Sequence, residues 1–337
     1  MHDKPIKWHH YLVIAILLII LSIISLAIGT GEISLLAIIS GRATLNEINL
    51  LFVSRLPRTI TIIISGASLA IGGLIMQALM QNRFVEPATT GVTESASLGL
   101  LIATIFFPNS DLLMKMIIAI IFAIVGTLIL MNIIQHLGQG QIFVVPLLGI
   151  ILSGIVGAIG DYLAWQFNLQ MTLQSWSLGD FSGVLRGRYE LIYFSIILLV
   201  VAYLFAERFT IVSLGKDIAT NLGLNYQTIS LLGIIIVSFI SAISLVVVGT
   251  LPFLGIVVPN IISLIYGDNL KNSLPIVAMS GAIFVLVSDI IARSIIYPAE
   301  IPVGVVIGVI GAGLFLLLLY YLNKKPVSSG DDALEKN

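Results

Sequence analysis

This sequence predicts an all-α polytopic membrane protein with about ten transmembrane helices, one of them short and broken, and three observations carry that reading. Of 337 residues, 58% are hydrophobic and only 10% charged, against about 25% charged in an ordinary soluble domain. The mean hydropathy is +1.11. Apolar runs long enough to span a bilayer recur along the chain. A formal net charge of −1 gives no reason to expect nucleic acid as a partner. The lack of cysteine excludes disulfides, thiol nucleophiles and cysteine metal sites.

The first span is expected at about 11–29. Lys4 and Lys7 precede it, as basic residues precede a signal peptide. The apolar run from Tyr11 to Ile28 is longer than a typical h-region, and no convincing small-residue cleavage site follows, so it reads as an uncleaved span. A mixed segment over 30–58 carries Glu32, Arg42, Glu47, Arg55 and Arg58, with a short interfacial helix expected from Leu35 to Ser40. The second span, about 59–80, is rich in Gly, Ala and Ser, which let helix backbones approach closely, so this helix belongs inside the bundle. After the loop Gln81 to Pro87, spans are expected at about 91–107, 114–136 and 142–165. A second polar segment, 166–190, holds Trp176, Asp180, Arg186, Arg188 and Glu190, and the sixth span follows at about 191–206.

Residues 207–227 are a polar island between two apolar runs, with Glu207, Arg208, Lys216 and Asp217. Between Gly215 and Gly223, Ile218, Ala219 and Leu222 fall at helical spacing, so a short amphipathic helix is expected. Such a helix can rest on lipid headgroups or serve as a handle for another protein. The next apolar run, Ile229 to Ile265, is too long for one span and contains Gly249, Pro252, Gly255 and Pro259. Proline lacks the amide donor and clashes with the preceding turn, so the run must split, into about 228–249 and a shorter segment at about 254–266. Short interrupted segments are tolerated only inside a bundle or beside an aqueous path. The last spans are expected at about 274–296 and 302–322, before a short polar tail over 323–337. Ten segments put both termini on one side. Lysine and arginine divide almost evenly between the two faces, with a slight excess on the side of the termini. The unusual feature is the set of arginines on the other side, Arg55, Arg58 and Arg293 among them.

Enzyme chemistry is missing from the sequence. The four histidines form no H-E-x-x-H pair, and no G-x-S-x-G motif occurs. Gly215-Lys216 is followed by Asp217 instead of Ser or Thr, so there is no P-loop. The spans are nearly free of the mid-membrane ionisable residues that ion-coupled carriers use. Asp289 and Arg293 stand four apart on one helix, where they can pair. A transporter driven by a partner ATPase therefore outranks an ion-coupled secondary carrier, and both outrank a membrane-embedded enzyme.

Several motifs, taken in order, resemble the permease subunits of ABC importers for iron-siderophore complexes and vitamin B12. Arg55-Leu-Pro-Arg58 matches the family's R-L-P-R, and Gly66 to Ala70, Gly72-Gly73 and Gln77 match its G-A-x-L-A…G…Q pattern. Asn82 to Pro87 corresponds to N-P-L-A-x-P, and Trp176 to Gly179 to its W…G segment. Leu214-Gly215, Ala219 and Leu222-Gly223 match the cytoplasmic coupling segment, and Phe253 to Pro259 matches F-x-G-L-x-x-P. Asp289 to Arg293 resembles A-D-x-x-A-R, and Pro302 to Gly304 resembles L-P-x-G. The resemblance covers about 11–322. The chain departs from it at Arg83-Phe84-Val85, where the first proline is lost, and at Pro259-Asn260, where P-H is usual. The N-R-F-V-E-P variant is similar to permeases for ferric catecholate-type siderophores.

The resemblance implies one permease domain over 11–322 with a type II ABC importer permease fold. It implies that 207–227 is a coupling segment seated on an ATP-binding subunit through Gly215, Ala219, Leu222 and Gly223. Glycine there permits sharp turns and close approach. It implies that Arg55, Arg58 and Arg293 face outwards and receive acidic residues of an extracytoplasmic substrate-binding protein, for which arginine's fork is suited; headgroup anchoring is the alternative. The pathway is expected between two permease subunits, an identical copy or a paralogue, lined by spans two, three and five. No cofactor or metal ligand is implied. The implied cargo is a ferric siderophore, with vitamin B12 or haem as the alternative. The implied location is a bacterial cytoplasmic membrane, with both termini and the tail cytoplasmic.

Overall fold

The computed structural model describes residues 7–29, 44–136, 144–187 and 189–324, and no β-strand occurs among them. The helix expected from Leu35 to Ser40 and the tail beyond Lys324 lie outside the described residues. Helix α1 (Trp8–Ala27) runs along the outside of the bundle. Helix α2 (Leu45–Met80) is its axis, mostly enclosed by protein. Then come α3 (Val92–Phe106), α4 (Leu112–His136), α5 (Val144–Gln166) and a short α6 (Gln170–Ser177). A 3₁₀ turn, Glu190–Tyr193, leads into α7 (Phe194–Leu204), followed by α8 (Ala206–Val212) and α9 (Lys216–Asn221). Helices α10 (Tyr226–Val248), α11 (Leu254–Tyr266), α12 (Leu270–Ser294) and α13 (Val303–Lys324) complete the chain. Seven of these helices are long and apolar enough to cross a membrane, an eighth candidate is bent, and α3 and α11 are shorter apolar helices.

Helix α2 starts well before the expected 59. Thr44 and Glu47 form a capping box: the Thr44 hydroxyl accepts from the Glu47 amide at 3.3 Å, and the Glu47 carboxylate accepts from the Thr44 amide at 2.7 Å. Pro57 cannot donate to the carbonyl four residues back, which is Val53's. The chain answers with a π turn over Leu51–Arg55, and the Val53 carbonyl takes the Arg186 amide at 3.1 Å. Arg55 and Arg58 therefore lie inside a continuous helix and not in a loop before it.

Helices α10, α11 and α12 pack around α2, and α3 packs on α4. Small residues set the closest approaches: a Cβ added at Gly66 would fall 2.7 Å from the Gly281 carbonyl oxygen, and one at Gly73 would fall 2.1 Å from that of Gly255. The sixth expected span is bent by 63° between α7 and α8. The long apolar run after it breaks at Gly249–Phe253, while Pro259 stays inside α11. The carbonyl that Pro259 leaves without a helical partner is Gly255's, and the Gln77 side-chain amide donates to it at 2.9 Å.

Candidate functional site

The functional residues gather at the two ends of α2. At one end Arg58 donates to Asp289 Oδ1 at 2.8 and 3.1 Å and to Glu300 at 2.7 Å. Arg293 lies 2.5 Å from Asp289 Oδ2 and donates to the Ser25 and Ile28 carbonyls at 3.1 and 2.7 Å. Arg55 donates to the Leu26 and Ala27 carbonyls, each at 2.9 Å. The expected Asp289–Arg293 pair forms and becomes the centre of a larger cluster that ties α1 and α2 to α12. All three arginines are buried, at 4–8% exposure. Their forks are engaged within the chain, which differs from the expected set of outward-facing hooks. Buried charge of this kind holds only when it is paired and hydrogen-bonded. Asp289 was legible beforehand; Glu300, whose partner Arg58 is 242 residues away in sequence, was not.

At the other end lies the polar island. Gly215 and Gly223 have φ of +106° and +81°, which explains glycine at both turns. Neither has a crowded neighbour within the chain: a Cβ at Gly215 would meet Gln81 at 3.4 Å, and one at Gly223 would meet nothing within 4 Å. Helix α9 forms between them as expected. Only Ala219 of its apolar set is buried, however, while Ile218 and Leu222 are exposed at 48% and 61%. Ile218 and Leu222 are one helical turn apart, and Leu214, before the Gly215 turn, is also exposed. Glu207 and Lys271 pair at 2.5 Å beside them, and Arg208 lies over the Phe205 ring.

The loop 81–91 links this end to the bundle interior. Gln81 lies against Gly215. The Arg83 carbonyl accepts from Asn260 at 2.7 Å, and the Arg83 guanidinium pairs with Asp268 at 2.5 Å. The chain's two departures from the family pattern, Arg83 and Asn260, therefore touch each other. Glu86 is buried and accepts from the Phe253 and Gly255 amides at 2.9 and 3.0 Å, capping the start of α11. Burial pushes its carboxyl up to about 7, against the lowering pull of those amide donors. Sequence reading quoted Glu86 within a motif without giving it a role, because its partners are more than a hundred residues away.

Two further motifs meet where α10 breaks. The Trp176 carbonyl accepts the Thr250 amide at 3.0 Å, and the Gly179 carbonyl accepts the Gly304 amide at 2.8 Å. Of the three helices expected to line a pathway, α2 is enclosed, α3 is mostly buried, and α5 alone leaves a broad open face. No group of three His, Asp or Glu that could hold a metal ion occurs among the described residues.

A bundle of apolar helices around one buried axis, with a short exposed helix at one end and a sealed charge cluster at the other, is the membrane part of a transporter. The chain belongs to the FecCD transport family, whose model matches residues 17–321. It is 44% identical over 304 residues to the petrobactin import system permease protein YclN of Bacillus subtilis (strain 168), covering 90% of this chain and 96% of that protein. It is 40% identical over 266 residues to the ferric-anguibactin transport system permease protein FatD of Vibrio anguillarum, covering 79% of this chain and 85% of that one. In fold it is similar to a metal-chelate type ABC transporter solved in an inward-facing conformation. The TM-score is 0.79 at 24% identity, over 94% of this chain and 100% of the other.

Proposed function

We propose that this chain is the permease subunit of an ABC importer that moves a ferric siderophore across the bacterial cytoplasmic membrane. A separate ATP-binding subunit supplies the energy. The observation that carries the coupling assignment is the exposed row Leu214, Ile218 and Leu222 at the α9 end. Exposed apolar side chains on a polar loop have the chemistry of a docking patch for another protein. Gly215 and Gly223 fix the turns on either side, and Ala219 seats the helix on the bundle. This end is then cytoplasmic, and so are both termini and the tail. The siderophore class is favoured over vitamin B12 or haem because the relatives at 40–44% identity carry petrobactin and ferric anguibactin by name.

A substrate-binding protein docks at the opposite end in this reading. Arg55, Arg58 and Arg293 act there through the cluster that holds Glu300 and the ends of α1 and α12 in place. The open face of α5 is assigned to lipid and a second permease subunit, an identical copy or a paralogue. Docking and thermal stability measured together on Arg55→Glu and Arg58→Glu test the arginine assignment. Docking lost by the fraction that remains folded supports it; docking retained by that fraction removes it.

The coupling assignment is tested in proteoliposomes with the ATPase and binding protein. Ferric-siderophore-loaded binding protein is expected to stimulate hydrolysis and uptake together. Gly223→Trp is expected to leave the protein folded and hydrolysis measurable while uptake falls at least tenfold. Normal uptake in Gly223→Trp would overturn the assignment of α9.

A further inference from the structure

We infer that Glu86 is a positioning residue for transport: it latches the loop 81–91 to the start of α11, so that this half-helix moves as one piece with the loop beside α9. Three attachments spread along α11, four bonds in all, support this. Glu86 holds the amides of Phe253 and Gly255 at its start. Asn260 donates to the Arg83 carbonyl near its middle, and Arg83 pairs with Asp268 just past its end. The loop therefore follows α11 along its whole length. At its near end the Gln81 amide lies 3.4 Å from where a Cβ on Gly215, the residue that caps α9, would fall.

The upper attachment differs from the other two. Asn260, itself buried, is answered by one carbonyl oxygen, and Asp268 by an exposed guanidinium that water can replace. Glu86 is enclosed, and both carboxylate oxygens are spent on amide donors that have no helical acceptor. It also stands at a conformationally costly point, since Phe253 has φ +63°, unusual for a bulky residue. Phe253 is held on its other side by Phe315 of α13, with ring centroids 6.1 Å apart. Beside Glu86, Gly255 also meets Gly73 of α2, and its carbonyl takes Gln77. Glu86 thus joins the loop to the break at Gly249–Phe253. Beside it lies a small cavity lined by Thr93, Ser241, Ser244 and Thr250. The Ser241 and Ser244 hydroxyls have no hydrogen-bond partner there, so a shift of the latch changes what these groups meet.

This inference rests on the reading of α9 as the ATPase contact, and the test separates the two. The chain has no cysteine, so Ser244→Cys gives this chain a single reporter, whose modification by a small methanethiosulfonate in the assembled importer is read on the isolated permease band. Its modification rate is expected to differ at least threefold between the nucleotide-free and vanadate-trapped states. With Glu86→Ala added, that difference should collapse while the ATPase still co-purifies, and Glu86→Gln, which keeps one acceptor oxygen, should restore part of it. An undiminished nucleotide response in Glu86→Ala, or no response in the parent, overturns the latch. If Glu86→Ala does not assemble, an undiminished response in Glu86→Gln overturns it instead. If Gly223→Trp uncouples while Glu86→Ala leaves the reporter unchanged, the latch falls and the α9 assignment stands; if Gly223→Trp leaves uptake unchanged, the α9 assignment falls.

Discussion

The two ends of α2 handle polar residues in opposite ways. At the Arg58 end, Arg58, Asp289 and Arg293 are buried and paired, with carbonyls of α1 taking Arg293 Nη1 while its Nε is left without an acceptor. At the α9 end, Lys216 and Asp217 lie in the open beside three exposed apolar side chains. The end richest in motif arginines is closed within the chain, and the other end keeps apolar side chains exposed. Charge content alone therefore does not locate a partner surface; the state of the partners within the chain does.

The largest expected effect is at the closed end. Asp289→Ala leaves two guanidinium groups facing each other with no carboxylate between them. Removing one partner of a buried ionic cluster costs about 3–5 kcal/mol, so the variant is expected to unfold at a clearly lower temperature in detergent, or to give little folded protein. Arg58→Met with Asp289→Leu, which removes charge from both sides, should recover part of that loss. If Asp289→Ala melts like the parent, the cluster is not a structural clasp and the contrast between the ends collapses.

Much of this contrast was hidden in the sequence for a physical reason. The spans, the enclosed character of α2 and the short broken α11 follow from hydropathy, small residues and proline, all local properties. The Asp289–Arg293 pair follows from helical spacing. The burial of Arg55 and Arg58 does not, because it depends on α2 beginning at the Thr44 cap and on the carbonyl ends of α1 lying alongside. Glu300 and Glu86 were invisible for the same reason: their partners sit on other helices. The Gln77–Gly255 bond was half legible, since Pro259 guarantees a carbonyl in need of a donor but does not say which residue supplies it.

That bond gives a middle-sized effect. Gln77→Leu keeps the volume of the side chain and leaves the Gly255 carbonyl buried without a donor, at a cost of about 1–3 kcal/mol. The measurable sign is a moderate loss of thermal stability. Gln77→Glu should be at least as harmful, since it sets a carboxylate against that carbonyl. An unchanged melting temperature in Gln77→Leu would mean that the Pro259 break is compensated elsewhere in α11.

The smallest effect on stability belongs to the open end, and there the comparison is most exposed to failure. Leu214→Ser, Ile218→Ser and Leu222→Ser remove side chains that are about half or more exposed. Surface changes of this kind usually move stability by no more than about 0.5 kcal/mol, so the combined variant should fold and melt nearly as the parent does. A surface finished in itself would leave the assembled importer unchanged as well. An incomplete one would lose its partner, because the apolar contacts at the centre of an interface carry much of the binding. The expected outcome is a folded permease that retains less than a tenth of the co-purifying ATPase. The opposite pattern, a destabilised chain with normal ATPase association, would show that the row packs within the membrane protein and that the partner surface lies elsewhere.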